Sequence, residues 1–255
     1  MRYTLLFCIL VVLVLPTGLM AAGNSWWTFP NALPHDEYGN ILISRTSEKN
    51  GVKPAVFSHW VHRRKHTCRV CHFELEFNMK VNTTEITEAA NKAGRYCGAG
   101  GCHDGKVAFG HQDKADCEKC HNNNRGYGKE RFQELTKGLA KTALGNGVNW
   151  RRAIDKGLIT PLHYLSLKPS DVSFDKNLEL AANWANIPPA VFSHKAHIKW
   201  LDCNNCHPDI FNIKKKSTEH FTMDRNLKGE FCGVCHLTVA FPMNDCKACH
   251  PGIRQ

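Results

Sequence analysis

One stretch of this chain occurs twice, and it leaves few folds open. Val56-Phe57-Ser58-His59-Trp60-Val61-His62 is followed, nine residues beyond His59, by Cys68-Arg69-Val70-Cys71-His72. Val191-Phe192-Ser193-His194-Lys195-Ala196-His197 is followed, nine residues beyond His194, by Cys203-Asn204-Asn205-Cys206-His207. Each copy then carries two further cysteine pairs closed by a histidine. These are Cys97/Cys102/His103 and Cys117/Cys120/His121 in the first, Cys232/Cys235/His236 and Cys246/Cys249/His250 in the second. Val56 recurs as Val191 and Cys97 as Cys232, so the offset holds at 135 apart from one compensated shift. A repeat this regular predicts two like structural units.

Thirteen cysteines are present, and with Cys8 set aside the other twelve form six pairs. An even count is the usual mark of a disulfide framework, and paired C-x-x-C units can also hold zinc. Neither chemistry needs a histidine directly after the second cysteine. With fifteen histidines in 255 residues, its recurrence at all six pairs has a chance probability on the order of 10⁻⁷. C-x-x-C-H is instead the signature of covalent c-type haem attachment, in which the thiols bond the porphyrin and the imidazole reaches the iron from one face. The middle site of the first copy, Cys97-Gly98-Ala99-Gly100-Gly101-Cys102-His103, has four residues between its cysteines. Glycines tolerate the backbone angles that a bulge requires, so this site too is expected to carry haem, giving six haem c in all. Its G-A-G-G run opens no βαβ unit, which argues against a phosphate loop.

Residues 1–23 read as a signal peptide, with Arg2, an apolar run from Leu5 to Leu15, and small residues at Ala21, Ala22 and Gly23. The run falls short of the roughly 20 residues of a membrane-spanning helix, and Cys8 is expected to leave with it. The mature chain is therefore expected in the periplasm, the outer envelope or outside the cell, with no membrane span. A formal charge of +10 would suit a nucleic-acid partner. Haem propionates offset it, at roughly −1 per ferric and −2 per ferrous haem, and no basic tract with interleaved aromatics occurs, so nucleic acid is not expected.

Residues 24–52 read as an extended arm, with Trp26, Trp27, Phe29, Pro30 and Pro34, laid over the first haem domain. That domain spans 53–125. A cysteine-free linker, 126–187, carries one amphipathic helix over Lys129–Thr142 and a second over Trp150–Gly157, ended by Thr160-Pro161. The second haem domain spans 188–255. About 232 mature residues for six haems are too few for a conventional core, so the porphyrins themselves must be the core. The expected fold is mostly irregular with short α-helices, two tandem triheme domains joined by a helical linker.

F-x-H-x-x-H before C-x-x-C-H, then C-G-x-C-H-x-G-x-x-A-F and a closing C-x-x-C-H, resembles the triheme class III cytochromes c, the c7-type relatives of the tetrahaem c3 proteins. The resemblance covers both haem domains but neither arm nor linker. It implies that His59 pairs with His72 and His62 with His103 across an iron, and in the second copy His194 with His207 and His197 with His236. For the third haem of each domain it implies either a histidine between the first two attachment sites or a methionine. Met223 is then the first choice for His250, with His220 behind it. Glu88 stands where a matching methionine would be in the first copy, so Met79 is the first choice for His121, followed by His111. His35 reads as a surface or propionate-bonding residue, and His66 lies too close to its own attachment site to cross that haem. His163 has no motif around it.

A haem with protein ligands on both faces exchanges electrons, whereas an open face can bind a substrate. Ligand supply covers demand here. The expected function is electron transfer in an anaerobic respiratory chain, from a quinol-oxidising membrane cytochrome towards a terminal reductase or an outer-membrane conduit. Two other readings stay open, a multihaem reductase of a small oxyanion with one open haem, and a subunit of a cytochrome filament or membrane complex.

Overall fold

A computed structural model describes residues 29–168, 173–182, 186–212 and 221–254. The expected signal segment, Trp26, Trp27 and His220 lie outside them.

Both copies open with the same device. The β-forming run Ala55–Ser58 is strand β2, paired antiparallel with β1, Asn40–Ile43, in the register Asn40↔Ser58 and Ile43↔Ala55. Ser58 is still extended, at φ −103°, and the chain then turns into α1, His59–Arg63. In the second copy β3, Asn177–Leu180, pairs with β4, Ala190–Ser193, Ser193 sits at φ −104°, and α6 follows over His194–His197. Asn177 faces Ser193 as Asn40 faces Ser58. The arm and the end of the linker thus each lend a strand to the domain that follows them.

The remaining helices are short. A π-helical turn covers Val70–Glu74 and a 3-10 turn Cys203–Asn205. Helices α2, Glu88–Lys92, and α7, Met223–Leu227, start alike: Thr87 and Thr222 accept hydrogen bonds from the amides of Ala90 and Arg225. The attachment motifs occupy α3, Cys117–Cys120, α8, Gly233–His236, and α9, Cys246–Cys249. Among the described residues no helix is long and apolar enough to cross a membrane.

The linker departs from its sequence reading. The expected helix over Lys129–Thr142 is a 3-10 turn, Lys129–Arg131, running into α4, Phe132–Thr136. It stops because Lys137 turns extended and Gly138 takes φ +78°, a left-handed conformation that glycine adopts without strain. Helix α5, Trp150–Asp155, is closed by Gly157 at φ +65°, ahead of Thr160-Pro161. Against the expectation that the chain cannot build a conventional core, a small one lies around these helices, formed by Trp60, Phe132, Leu139, Val148, Trp150, Ala153 and Ile159 with Trp200 packed against it, because the linker brings its own apolar side chains. Trp60 is 2% exposed and donates its indole N–H to the Asp36 carbonyl. Its counterpart in the second copy is Lys195, ion-paired at 2.9 Å with Asp175, so the linker core is built on the first copy.

The arm reaches both domains. Besides pairing with the first domain through β1, it donates the Tyr38 hydroxyl to the Ala240 carbonyl at 2.9 Å, and residues from Phe29 to Tyr38 line a cleft that also holds His236.

Candidate haem-binding site

Ten histidines share one arrangement. Each of His59, His62, His72, His103, His121, His194, His197, His207, His236 and His250 places Nδ1 within hydrogen-bond distance of a backbone carbonyl. An imidazole that donates through Nδ1 keeps the Nε2 lone pair for a metal, the second-shell arrangement typical of ligating histidines. The acceptors repeat between copies. His62 and His197 bond the carbonyls of Ser58 and Ser193 at 2.8 Å, and His103 and His236 those of Phe109 and Phe241 at 3.0 and 2.8 Å. His121 and His250 reach back to Lys53 and Pro188, at 2.8 and 2.7 Å.

Phenylalanine explains the V-F-S-H-x-x-H string. Phe57 stacks on His62 at 4.3 Å and 24° and meets His59 edge-on at 4.8 Å and 85°. Phe192 does the same to His197, at 4.3 Å and 24°, and to His194, at 4.9 Å and 86°. One ring thereby fixes two imidazoles a helical turn apart.

Three of the four paired assignments bring their rings together. The centres of His59 and His72 are 6.5 Å apart, those of His62 and His103 6.1 Å, and those of His197 and His236 6.3 Å. An imidazole nitrogen binds a first-row transition metal at about 2.0 Å, so two imidazoles on opposite faces of one ion have ring centres roughly 6.3 Å apart. The donor set therefore fits an axially ligated iron. Ile41, Ile43, Phe57, Cys71 and Phe77 line a largely apolar cleft at His59 and His72. For the fourth pair the described ring contacts of His194 are to Phe174 and Phe192, and that of His207 is to Phe211.

The third haem of each copy is less completely framed. Met79 is half-buried in the turn at 78–80, and Met223 is half-buried as the first residue of α7. No described contact joins Met79 to His121 or Met223 to His250. Glu88 opens α2 as Met223 opens α7, but its side chain is 74% exposed and pairs with Lys92 at 2.5 Å. His111 has a buried Nε2 without a hydrogen-bond partner. Met243, not considered from the sequence, follows Val239-Ala240-Phe241 as His111 follows Val107-Ala108-Phe109 and lines the cleft at His236. Aligning the two copies on V-A-F is the signal that finds it. His163 bonds Arg69 at 2.7 Å, and His66 bridges to Leu162.

All twelve cysteines of the six motifs are unpaired. Burial, the largest cause, pushes the thiols of Cys71, Cys97 and Cys235 up to about 12. Among the described residues no cluster of three or more His, Cys, Asp or Glu is disposed to hold a metal ion. The first sites of the two copies are neighbours, the turn Val70–Glu74 packing against Cys203–Asn205.

The solved structures most like this chain include the C-terminal hexaheme fragment of GSU1996, 27% identical over 83% of this chain and 96% of that one, with a TM-score of 0.27. The dodecaheme cytochrome c GSU1996 is 24% identical over 85% and 75%, with a TM-score of 0.28. Its N-terminal hexaheme fragment is 23% identical over 84% and 99%, with a TM-score of 0.27. No curated protein matches the chain. The family described as cytochrome c7 and related cytochrome c matches residues 55–122 and 190–251, just over half of the sequence and all six attachment motifs. With its duplicated motifs, anchored imidazoles and covalent attachment cysteines, the chain belongs to this family of multihaem c-type cytochromes, whose chemistry is electron transfer.

Proposed function

We propose that the protein carries six haems as one electron-conducting path through the cell envelope in anaerobic respiration. The observation that supports this most is the packing of the first attachment motif's turn, Val70–Glu74, against Cys203–Asn205 of the second copy, which brings sites of the two domains together. Bound haem supplies an iron that changes oxidation state. The cysteines would hold each porphyrin, and the imidazole pairs that come together, with Phe57 and Phe192 keeping them in place, would hold an iron on both faces. A haem held so would have no open position for a substrate.

The partners in this reading are a quinol-oxidising membrane cytochrome on one side and a terminal reductase or outer-membrane conduit on the other. Export by the N-terminal segment is part of it, because covalent haem and this family's chemistry suit an extracytoplasmic compartment. The test is intact mass with a reductive titration. Six haems at about 616 Da each and six electrons taken up per chain are expected. Five haems would remove the Cys97/Cys102 site from the path.

A second reading, a reductase with an open haem, draws on the exposed, ion-paired Glu88 and the absence of a described partner for His121. A stoichiometric high-spin signal in the oxidised protein would favour it.

A further inference from the structure

The two copies do not meet tail to head, as chain order suggests. The turn carrying the first attachment motif, Val70–Glu74, packs directly against Cys203–Asn205, the first motif of the second copy. Arg69 N–H donates to the Trp200 carbonyl at 3.2 Å, and its guanidinium donates to the Ile198 carbonyl. At this junction sits Arg63, the last residue of α1, one position after His62.

Arg63 is held on every side. Its Nη2 donates to the Val239 carbonyl of the second copy at 3.0 Å. Its guanidinium lies over the rings of Trp150, at 5.3 Å, and Trp200, at 5.7 Å, which face a cation favourably. Cys68 and His59 of the first copy, Cys235 and His236 of the second, and Tyr38 of the arm all lie within reach of its charge. No carboxylate neutralises it among its described partners. The repeat offset makes Ile198 its counterpart, so the second copy has no such cation.

We propose that Arg63 is the cation of an inter-domain electron crossing, stabilising the reduced state of the haems attached at Cys68/Cys71 and Cys232/Cys235. The argument is electrostatic. One electron arriving at either haem turns one ferric iron ferrous, and the donor iron goes from ferrous to ferric. No bond forms or breaks and no proton moves. The added negative charge is attracted by a fixed guanidinium in a poorly solvated setting, where charge interactions are strong, so the reduction potential rises. An arginine keeps its charge at any physiological pH, so this bias is permanent. Trp150 is a linker residue, and Trp200 and Val239 belong to the second copy. Docking of the domains and placement of the charge are therefore one event, and Arg63 acts as a positioning and tuning residue.

This inference rests on haem attachment at both sites, which intact mass reports separately from potential. The test is a redox titration of the full six-haem protein, resolved by haem, for wild type, Arg63→Lys and Arg63→Gln. Arg63→Gln is expected to lower the potential of one or two haems while leaving the others in place. Arg63→Lys, which keeps the charge, is expected to shift them less. If Arg63→Gln fails to load six haems, Arg63→Met takes its place, filling the slot between the indoles without charge. Six unchanged potentials in a fully loaded neutral variant would overturn the proposal. So would equal shifts in Lys and Gln variants, which would mean that packing and not charge is what Arg63 supplies.

Discussion

The rings of His59 and His72 have centres 6.5 Å apart and planes within 7° of each other, although thirteen residues separate them in the chain. Each is held by its Nδ1, His59 to the Gly39 carbonyl at 2.8 Å and His72 to that of Phe77 at 2.8 Å. The separation suits one iron between two nitrogens. Replacing His59 by alanine should therefore expose one face of one haem and leave its covalent attachment intact. Intact mass should still give six haems, while low-temperature EPR should show one haem converted from low spin to high spin. A fully low-spin His59→Ala protein would mean that another residue ligates this haem.

A second prediction concerns backbone packing. A methyl group at Gly98 would lie 1.9 Å from the Asn91 carbonyl oxygen, and one at Gly233 would lie 1.8 Å from that of Asn226. Both oxygens belong to helices, α2 and α7, that cannot move like a side chain. Gly98→Ala and Gly233→Ala should each cost about 1–3 kcal/mol, the range for overpacking, and by similar amounts in the two copies. Gly100 lies in the same four-residue insertion as Gly98 but has nothing within 4 Å of an added methyl. Gly100→Ala should be neutral in denaturant unfolding and retain its haem.

These residues also show what the sequence could and could not reveal. The attachment cysteines, their histidines and the His59/His62 and His194/His197 strings were legible because ligation demands fixed residue types at fixed spacing. The strands β1 and β3 were not, since Asn40–Ile43 and Asn177–Leu180 share little beyond an opening asparagine and apolar residues, and their offset differs from 135. The linker helix was overextended because amphipathic spacing continues past Gly138, while the left-handed turn there depends on tertiary packing of Leu139. The head-to-head junction was invisible for another reason. Arg63 and Arg69 dock on backbone carbonyls, and a carbonyl carries no residue identity to read.

Acid should destabilise the fold over a defined window. Burial, with the neighbouring His72 next, lowers His59 to about 3, and burial first lowers His62 and His236 to about 4. An unfolded histidine titrates near 6.5, so between that pH and about 4 the unfolded chain binds more protons than the folded one. Stability is then fully present above about pH 6.5 and falls as pH drops towards 4. Iron acts in the same direction, since proton and metal compete for the Nε2 lone pair. Guanidinium midpoints should fall steadily from pH 7 to pH 4.5, and a flat profile would contradict this burial of neutral imidazoles.

The third haems give the sharpest comparison between the copies. Thr87 caps α2 and Thr222 caps α7 through the same hydrogen bond, and Glu88 and Met223 are the residues that follow. If the thioether of Met223 faces the iron opposite His250, the oxidised protein should absorb near 695 nm, and Met223→Leu should abolish that band. Glu88, exposed and paired with Lys92, can be replaced with little cost to the fold, since a solvated surface ion pair contributes little. Glu88→Met would put a thioether at the matching place in the first copy, and absorbance near 695 nm should then rise, about doubling if the copies are equivalent. A band that survives Met223→Leu would come from another methionine, Met79 opposite His121 in the first copy or Met243 in the second, the next residues to replace. A band unaffected by Glu88→Met would mean that His121 already has its partner. His111, with its buried and unpaired Nε2, is then the side chain to remove, and a high-spin signal in His111→Ala would identify it.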